Sequence, residues 1–501
     1  MPRQPFTVLS LFFLTPLACS TEFHASACKS DVECGPGFVC DLASRGSSGG
    51  VCVSSNAVPL RIGMSAPITG PSQELGTEMK KGLMLAFDAV NAKGGANGRP
   101  IELEFRDDQY QPLSAEAAAR SLLDVSEGGT ARCPTTTTPV VAGDQPVATG
   151  GLSRGANAVL GLVGNVGTPT MVRSAPIAIE TGSLFFGAFT GASKVLRDGM
   201  SGACARYIFN VRASYTEEAH ATLEYFTKLH VADERHILSF DQNDSFGQAG
   251  YDGLVLSYTA LYGPPKTTIP RFRYTRDDQS SVPTQITAVT TYLASLLSAD
   301  AQKHVVGIFM TDTYGPATTF IKGVRDWQYA NDAEQTVIDK ATRLTVHFSN
   351  VSFVGANSLA SRLHDAGTVT TPSGEKPYSE SVYVSQVVPN YESDDSDGVS
   401  DYRAALADAG LTPSFTSLEG YLTGRVFAAG LVAHKGEYTP DALIGTFEHL
   451  PPLNLGLGAT SGFSPDNHNY SKAIFGTAIK ADGGFANSYF WSDGTPIQLF
   501  E

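Results

Sequence analysis

The chain has 501 residues and a net charge of −15, enough length for two to four domains at roughly 100–200 residues each. Charged residues make up 17% of it, against about 25% in an average protein, which excludes charge-driven disorder. The acidic balance argues against a general nucleic-acid binder, which needs a basic stripe to neutralise phosphates.

Arg3 is the only charge before Glu22, and Phe6 to Leu17 is apolar. A membrane span needs ~20 apolar residues, so this shorter run after a basic start reads as a signal peptide over residues 1–19. It ends Ala18-Cys19-Ser20, a small residue directly before a Cys, which resembles a bacterial lipobox, although Pro16 stands where Leu is usual. Cys19 is the candidate lipidation site; ordinary cleavage near Ala18 is the alternative. The expected location is the periplasm, or the outer membrane of a Gram-negative bacterium, with a lipid anchor as the only membrane attachment.

Residues 20–58 form a Cys-rich module and linker. Cys28, Cys34, Cys40 and Cys52 are separated by five, five and eleven residues, with many glycines and few large apolar residues among them. Such a segment cannot build a core, so two disulfides are expected, with three possible connectivities. A zinc site competes, but the usual Cys-x2–4-Cys pairs are missing. The spacing resembles small EGF-like or EB-like modules. Cys133 and Cys204 remain and are expected to pair with each other.

After Cys52 the pattern changes. Leu60, Ile62 and Met64 alternate as a strand; Met79, Leu83, Ala86, Phe87 and Val90 recur at helical spacing. Gly94-Gly95 and Asn97-Gly98 break that helix. Ile101, Leu103 and Phe105 alternate again, and Ala115 to Val125 reads as helix. Segment 130–150 reads as a surface insertion tied by Cys133. Ala158 to Val163 is a continuous apolar run, expected to be a strand buried on both faces. Downstream, helices are expected around Ala219 to Leu229, Leu254 to Tyr258 and Thr318 to Trp327. Strands are expected at His236 to Phe240, Val305 to Met310 and Val351 to Val354. Segment 391–401, with Asp394, Asp395 and Asp397, reads as a solvated loop. The alternation predicts parallel sheets covered by helices, an α/β fold of two doubly wound lobes. Ligands of such sheets sit at the carboxyl ends of the strands.

Catalytic signatures are sparse. There is no His-Glu-x-x-His motif and no phosphate loop. Gly456, Gly458 and Gly462 nearly spell a dinucleotide fingerprint but follow no clear strand and read as turns. His220 with Glu224 reads as a surface pair. Asp107-Asp108 reads as turn-capping or cleft-lining carboxylates. No enzyme activity, cofactor or metal is expected.

From Ile62 onward several pieces fall in a meaningful order. They include Gly63-Met64-Ser65-Ala66-Pro67-Ile68-Thr69-Gly70, Asp88 to Gly95, Arg106-Asp107-Asp108-Gln109 and Gly167-Thr168-Pro169-Thr170. Phe186 to Ala192, Phe209-Asn210-Val211-Arg212, Gln242 to Gly247, Thr311 to Tyr314, Val384 to Pro389 and Ser417 to Tyr421 follow. Over residues 59–501 the chain resembles type I periplasmic solute-binding proteins of the branched-chain amino-acid (Leu/Ile/Val) class. The resemblance implies a two-lobed clamshell joined by three crossovers. Lobe 1 would hold 59–211 plus 387–455, and lobe 2 would hold 212–386 plus 456–501. A small ligand would bind between lobes that close by hinge motion. The chain would act as a monomer and deliver the ligand to an ABC permease. A receptor that signals ligand to a membrane partner is the alternative role.

By the same resemblance, Thr168 or Thr170 would hold a ligand carboxylate. Phe189, Thr190 and Ala192 would face ligand from the next lobe 1 loop. Phe246 and Tyr314 would be lobe 2 aromatic contacts. Leu75 stands where an aromatic is frequent, and Asn357 falls near the acidic residue that takes the ligand ammonium. Unless Asp244, Asp312 or Glu419 substitutes, that amide puts amino-acid zwitterions in doubt. Arg212 would either pair with an anionic ligand or brace the hinge.

Overall fold

The computed structural model describes residues 27–35, 37–41, 49–55, 58–133, 150–192, 202–231, 233–330, 336–459 and 461–500. The apolar leader with Cys19 lies outside them, as do residues 134–149 of the expected insertion. The chain forms two compact units, Met1–Ser54 and Ser55–Glu501.

In the first unit, β1 (Ala27–Cys28), β2 (Phe38–Asp41) and β3 (Gly50–Ser54) form an antiparallel sheet in the order β1-β3-β2. Disulfides Cys28–Cys40 and Cys34–Cys52 staple it, with Cα separations of 5.7 and 5.3 Å. Cys28, Cys34 and Cys40 are the only group of possible metal ligands close enough together among the described residues. All three are held in these disulfides.

The second unit contains two larger sheets. The first comprises β4 (Leu60–Ala66), β5 (Ile101–Asp107), β6 (Gly161–Val163), β7 (Leu184–Phe186) and β8 (Ile208–Phe209). They are all parallel, in the order β5-β4-β6-β7-β8. The strand order reverses at β4, which places a crevice at its carboxyl end. Helices α1 (Gln73–Asn91), α2 (Pro112–Leu122) and α3 (Thr168–Glu180) connect these strands. The continuous apolar run at 158–163 yields strand only from Gly161.

The second sheet repeats the plan with β9 (Ile237–Gln242), β10 (Arg271–Tyr274), β11 (His304–Thr311), β12 (Leu344–Val351) and β15 (Val382–Gln386). These run parallel in the order β10-β9-β11-β12-β15. Antiparallel strands β16 (Ile474–Ile479), β17 (Phe485–Trp491) and β18 (Gln498–Leu499) extend it beyond β15. A small hairpin, β13 (Thr368–Thr371) and β14 (Gly374–Pro377), stands apart from both sheets. The intervening helices are α4 (Tyr215–Lys228), α5 (Ser245–Tyr262), α6 (Val282–Ala299), α7 (Tyr314–Tyr329), α8 (Thr336–Arg343) and α9 (Ala356–Ala366).

Between β15 and β16 the chain forms α10 (Asp397–Ala409), α11 (Phe415–Ala433) and α12 (Pro440–Glu448). Helix α11 is apolar around most of its girth, which marks a buried helix. It packs against α1 at backbone distance: a Cβ on Gly420 would collide with the Met79 carbonyl, and one on Gly82 with the Ser417 carbonyl. Phe186, Phe209, Phe427 and Phe447 join ring to ring, with centroids 4.9–5.7 Å apart, and tie the first sheet to α11 and α12.

Two expectations fail. Only Val351 of the Val351–Val354 run is strand; Ser352–Val354 is a single 3-10 turn. The loop expected over 391–401 ends at Ser396, and Asp397 begins α10. Asp394 accepts from the Ser396 N–H at 2.9 Å, so one of the three acids shapes the helix entry.

Candidate functional site

The carboxyl ends of β6 and β7 bring two threonines together. Helix α3 begins at Thr168 after Gly167, whose φ of 97° suits glycine. The hydroxyl oxygens of Thr168 and Thr190 lie 2.6 Å apart, and both residues are fully buried. Thr190 also lies 3.4 Å from the Tyr215 hydroxyl and accepts from the Ala192 N–H at 3.3 Å. Thr170 turns away: its hydroxyl donates back to the Gly167 carbonyl at 2.8 Å and to that of Val166. Thr168 is therefore the α3 hydroxyl that meets Thr190. The first turn of α3 leaves its N–H groups without helical acceptors, which suits an anion.

Aromatic rings from both sheets meet beside this pair. Phe353, in the turn after β12, lies 4.9 Å from Phe189, 4.7 Å from Phe246 and 6.2 Å from Tyr110. Phe246 in turn lies 5.5 Å from Tyr215. Its position follows from a helix cap, because the Asp244 carboxylate accepts from the N–H groups of Phe246 and Gly247 at 2.9 and 3.4 Å. Such ring pairs contribute about 0.5–1.5 kcal/mol each beyond their area.

Leu75, on the first turn of α1, meets Tyr314, the first residue of α7, at Gly355. A Cβ on Gly355 would lie 2.9 Å from the Leu75 side chain and 3.0 Å from the Tyr314 ring. Its φ of 78° independently favours glycine.

Arg212 lies behind the aromatic cluster, 5.2 Å from the Phe189 ring and 5.7 Å from that of Tyr215. It pairs with Glu218 at 2.8 Å and Glu419 at 3.3 Å, and donates to the Ser352 hydroxyl. Glu218 also accepts from the Ser352 N–H at 2.6 Å and the Ser385 hydroxyl at 2.8 Å. Burial works against the Arg212 charge, but Glu419 and Glu218 outweigh it and keep the guanidinium protonated. The guanidinium thus contacts two carboxylates and the Ser352 hydroxyl. A capping box at Ser214 and Glu217 starts α4 and so places Glu218.

Asp107 and Asp108 shape the turn after β5. Asp107 accepts from the Ile68 N–H at 3.0 Å and the Thr69 hydroxyl at 2.6 Å. Asp108 is buried and accepts from Ser65 at 2.6 Å and the Tyr110 N–H at 2.9 Å. Burial nevertheless pushes its carboxyl up to about 7.

Thr168, Phe189, Thr190, Ala192, Arg212 and Phe246 thus fall in one contiguous group, and Leu75 and Tyr314 both lie against Gly355. Asn357 does not join them. Its amide donates to the Tyr391 hydroxyl at 2.9 Å and accepts from the Phe415 N–H at 3.0 Å, tying α9 to α11. It lines a separate surface hollow of 560 Å³ with Glu74, Glu78, Arg362 and Asp365. His220 and Glu224 pair at 3.2 Å, partly buried, in a second hollow beside Trp491.

The pattern reading missed Phe353, Tyr110, Tyr215 and the partners of Arg212. The Ser214-x-x-Glu217 spacing was an available signal for the start of α4. One further string, Gly151-Leu152-Ser153-Arg154-Gly155, has the lettering of a hydrolase elbow. Ser153 lies on no strand-to-helix turn; its N–H and carbonyl bridge to Ser126, and its hydroxyl meets that of Ser126 at 2.7 Å.

A sequence profile of the periplasmic binding protein family matches residues 59–150 and 155–484. A Leu/Ile/Val-binding protein, BraC3 of Rhizobium johnstonii, is 38% identical over 64 residues, 13% of this chain and 17% of that protein. A leucine-, isoleucine-, valine-, threonine- and alanine-binding protein of Pseudomonas aeruginosa is 29% identical over 83 residues, 17% of this chain and 22% of that one. The chain therefore aligns with only about a fifth of the length of these curated relatives. A solved structure, a possible leucine/isoleucine/valine-binding protein from Rhodopirellula baltica, superposes with a TM-score of 0.67 at 28% identity. That match covers 87% of this chain and 97% of the other. A fatty acid ABC transporter substrate-binding protein from Thermomonospora curvata superposes at 0.60 with 15% identity, over 89% of this chain and 93% of that one, a likeness of fold.

Proposed function

Because the chain belongs to the periplasmic binding protein family, we propose that it captures a small polar or carboxylated molecule, an amino acid or a relative, between two lobes. The lobes are 59–211 with 387–455 and 212–386 with 456–501. Delivery of the ligand to an ABC importer is part of the proposal, as are export and an anchor at Cys19.

The observation that carries it is the buried Thr168–Thr190 hydroxyl pair at the start of α3, facing rings contributed by both sheets. A carboxylate placed there would accept from two hydroxyls and the first N–H groups of α3. The aromatic rings would cover an apolar body. Closure removes water, so these few polar contacts decide the affinity.

The test is a thermal-shift panel of amino acids, short amides, aromatic acids and sugars. Ligand at a hundred times its dissociation constant stabilises by ~2.7 kcal/mol. A shift confined to carboxylates, and lost in Thr190→Val, supports the reading. Equal shifts with sugars, or none with any class, overturn it.

A further inference from the structure

Two histidines meet where strands β9 and β11 begin. His304 opens β11, and His236 directly precedes β9, its parallel neighbour. The Nε2 of His236 lies 3.0 Å from the Nδ1 of His304, and the ring planes are 19° apart. A carboxylate stands behind each ring. Asp233 Oδ1 lies 2.9 Å from His236 Nδ1, and Asp300 Oδ1 lies 3.3 Å from His304 Nε2. The side chains of His236 and His304 are 13% and 6% exposed, whereas that of Asp300 is half exposed. The row therefore runs carboxylate, imidazole, imidazole, carboxylate.

Counting hydrogens shows what the row lacks. Two neutral imidazoles own two N–H hydrogens, and the row has three contacts. With one hydrogen placed between the rings, an outer ring nitrogen turns a bare lone pair toward a carboxylate. The His304 Nε2 is buried and has no hydrogen-bond partner among the described residues. A cation between the rings removes the conflict. It takes the lone pairs of His236 Nε2 and His304 Nδ1, so both hydrogens sit on the outer nitrogens and are donated to Asp233 and Asp300. A carboxylate behind a ligating histidine fixes the tautomer in this way and raises the basicity of the ring. The two carboxylates also offset a divalent charge. Of the nearby cations, Arg235 pairs with the other Asp233 oxygen at 3.0 Å, and Arg343 donates to the Asp300 carbonyl.

We propose that His236 and His304 bind a divalent transition-metal ion such as Zn²⁺, with Asp233 and Asp300 as the carboxylates behind its ligands. Neutral imidazole suits this class of ion. Zn–N bonds of about 2.0–2.1 Å in tetrahedral coordination set two nitrogens about 3.3 Å apart. The rings therefore part by a few tenths of an ångström and tip toward the ion, and water completes its coordination. The site pins the starts of two neighbouring strands. At a rise of about 3.3 Å per residue it lies about 23 Å along β11 from the carboxyl end of that strand. It is independent of the ligand-binding reading above.

The experiment titrates the purified, tag-free protein, its disulfides intact, with Zn²⁺ in a calorimeter, and with Mg²⁺ in parallel. One equivalent of Zn²⁺ should bind and raise the melting temperature, as binding to the folded state alone requires. Mg²⁺ should give no saturable heat. His236→Gln and His304→Gln should each abolish Zn²⁺ binding. Asp300→Asn should weaken it about tenfold, the usual effect of removing a partner behind a metal ligand. His220→Gln should leave it unchanged. Absence of saturable Zn²⁺ binding, binding that survives both ring substitutions, or wild-type affinity in Asp300→Asn overturns the assignment. So does loss of binding in His220→Gln, which would place the ion in the hollow beside Trp491. Where a ring variant fails to fold, the affinity of Asp300→Asn decides.

Discussion

Tyr314 donates its phenolic hydrogen to the carbonyl of Pro71 at 2.6 Å, so the residue that opens α7 is tied to the loop after β4, a strand of the other sheet. Its ring simultaneously packs at Gly355 beside Leu75. A single side chain therefore contributes both a polar tie and an apolar contact between the two halves of the second unit.

Tyr314→Phe keeps the ring and removes the tie. A net hydrogen bond is worth about 1 kcal/mol, so ligand affinity should fall roughly five-fold by calorimetry. Small-angle scattering of the ligand-free variant should show a more extended particle. An affinity equal to wild type would mean that the bond contributes nothing to closure.

Arg212 makes the stronger cross-connection, because without it the buried Glu218 carboxylate loses its cation and keeps neutral donors from Ser352 and Ser385. Breaking a buried pair from one side costs about 3–5 kcal/mol. Arg212→Met should lower urea stability by that amount, and Glu218→Gln added to it should recover part of the loss. If the double variant is no more stable than the single one, the pair is not the source of the cost.

The acid response follows from two buried groups with opposite signs. Burial, with the Arg325 charge, depresses His347 from 6.5 to about 4. The unfolded chain takes up this proton near its ordinary value while the folded protein refuses it. The associated stability is present above pH 6.5 and lost as pH falls toward 4, by about 3 kcal/mol at most. Asp108 is raised from 3.8 to about 7, so its contribution is present in acid and lost as pH climbs through that window. Urea titrations between these limits should show His347→Asn gaining on wild type as pH falls. Asp108→Asn should gain as pH rises. Differences that stay flat with pH would contradict the assignment.

Cys133 and Cys204 close a loop with a sequence separation of 71 residues. Loop-closure entropy over that length gives about 4 kcal/mol. The paired Ser substitution should lower urea stability by a similar amount under oxidising conditions and should remove the part of the wild type's reductant sensitivity that comes from this bond. A variant as stable as the oxidised protein would show that the bond adds no stability.

Much of this architecture was legible because periodicity is local. Alternation at Leu60, Ile62 and Met64 and the helical stripe from Met79 to Val90 each report a single element that buries one face. The same logic fails at Val351 to Val354, where four residues, apolar except for Ser352, are too few to show a period and fit a strand or a buried turn equally well. That ambiguity hid Phe353, which stacks between Phe189 and Phe246. Thr170 was indistinguishable from Thr168 in the sequence. The two hydroxyls diverge because that of Thr168 meets Thr190 while that of Thr170 bonds back to its own backbone.

The sequence by itself determined the parallel α/β plan, the disulfide-stapled start and the family, since each is written in spacing over a few tens of residues. Only the tertiary structure decided which distant groups share a desolvated space. Arg212 meets Glu419 across 207 positions, Asn357 is spent on Tyr391 and Phe415, and among the described residues the Asp312 carboxylate has no hydrogen-bond partner while Asp241 has two arginines. The physical reason is that burial and charge pairing belong to the folded arrangement of strand ends. No property of a residue's immediate neighbours in the chain sets them.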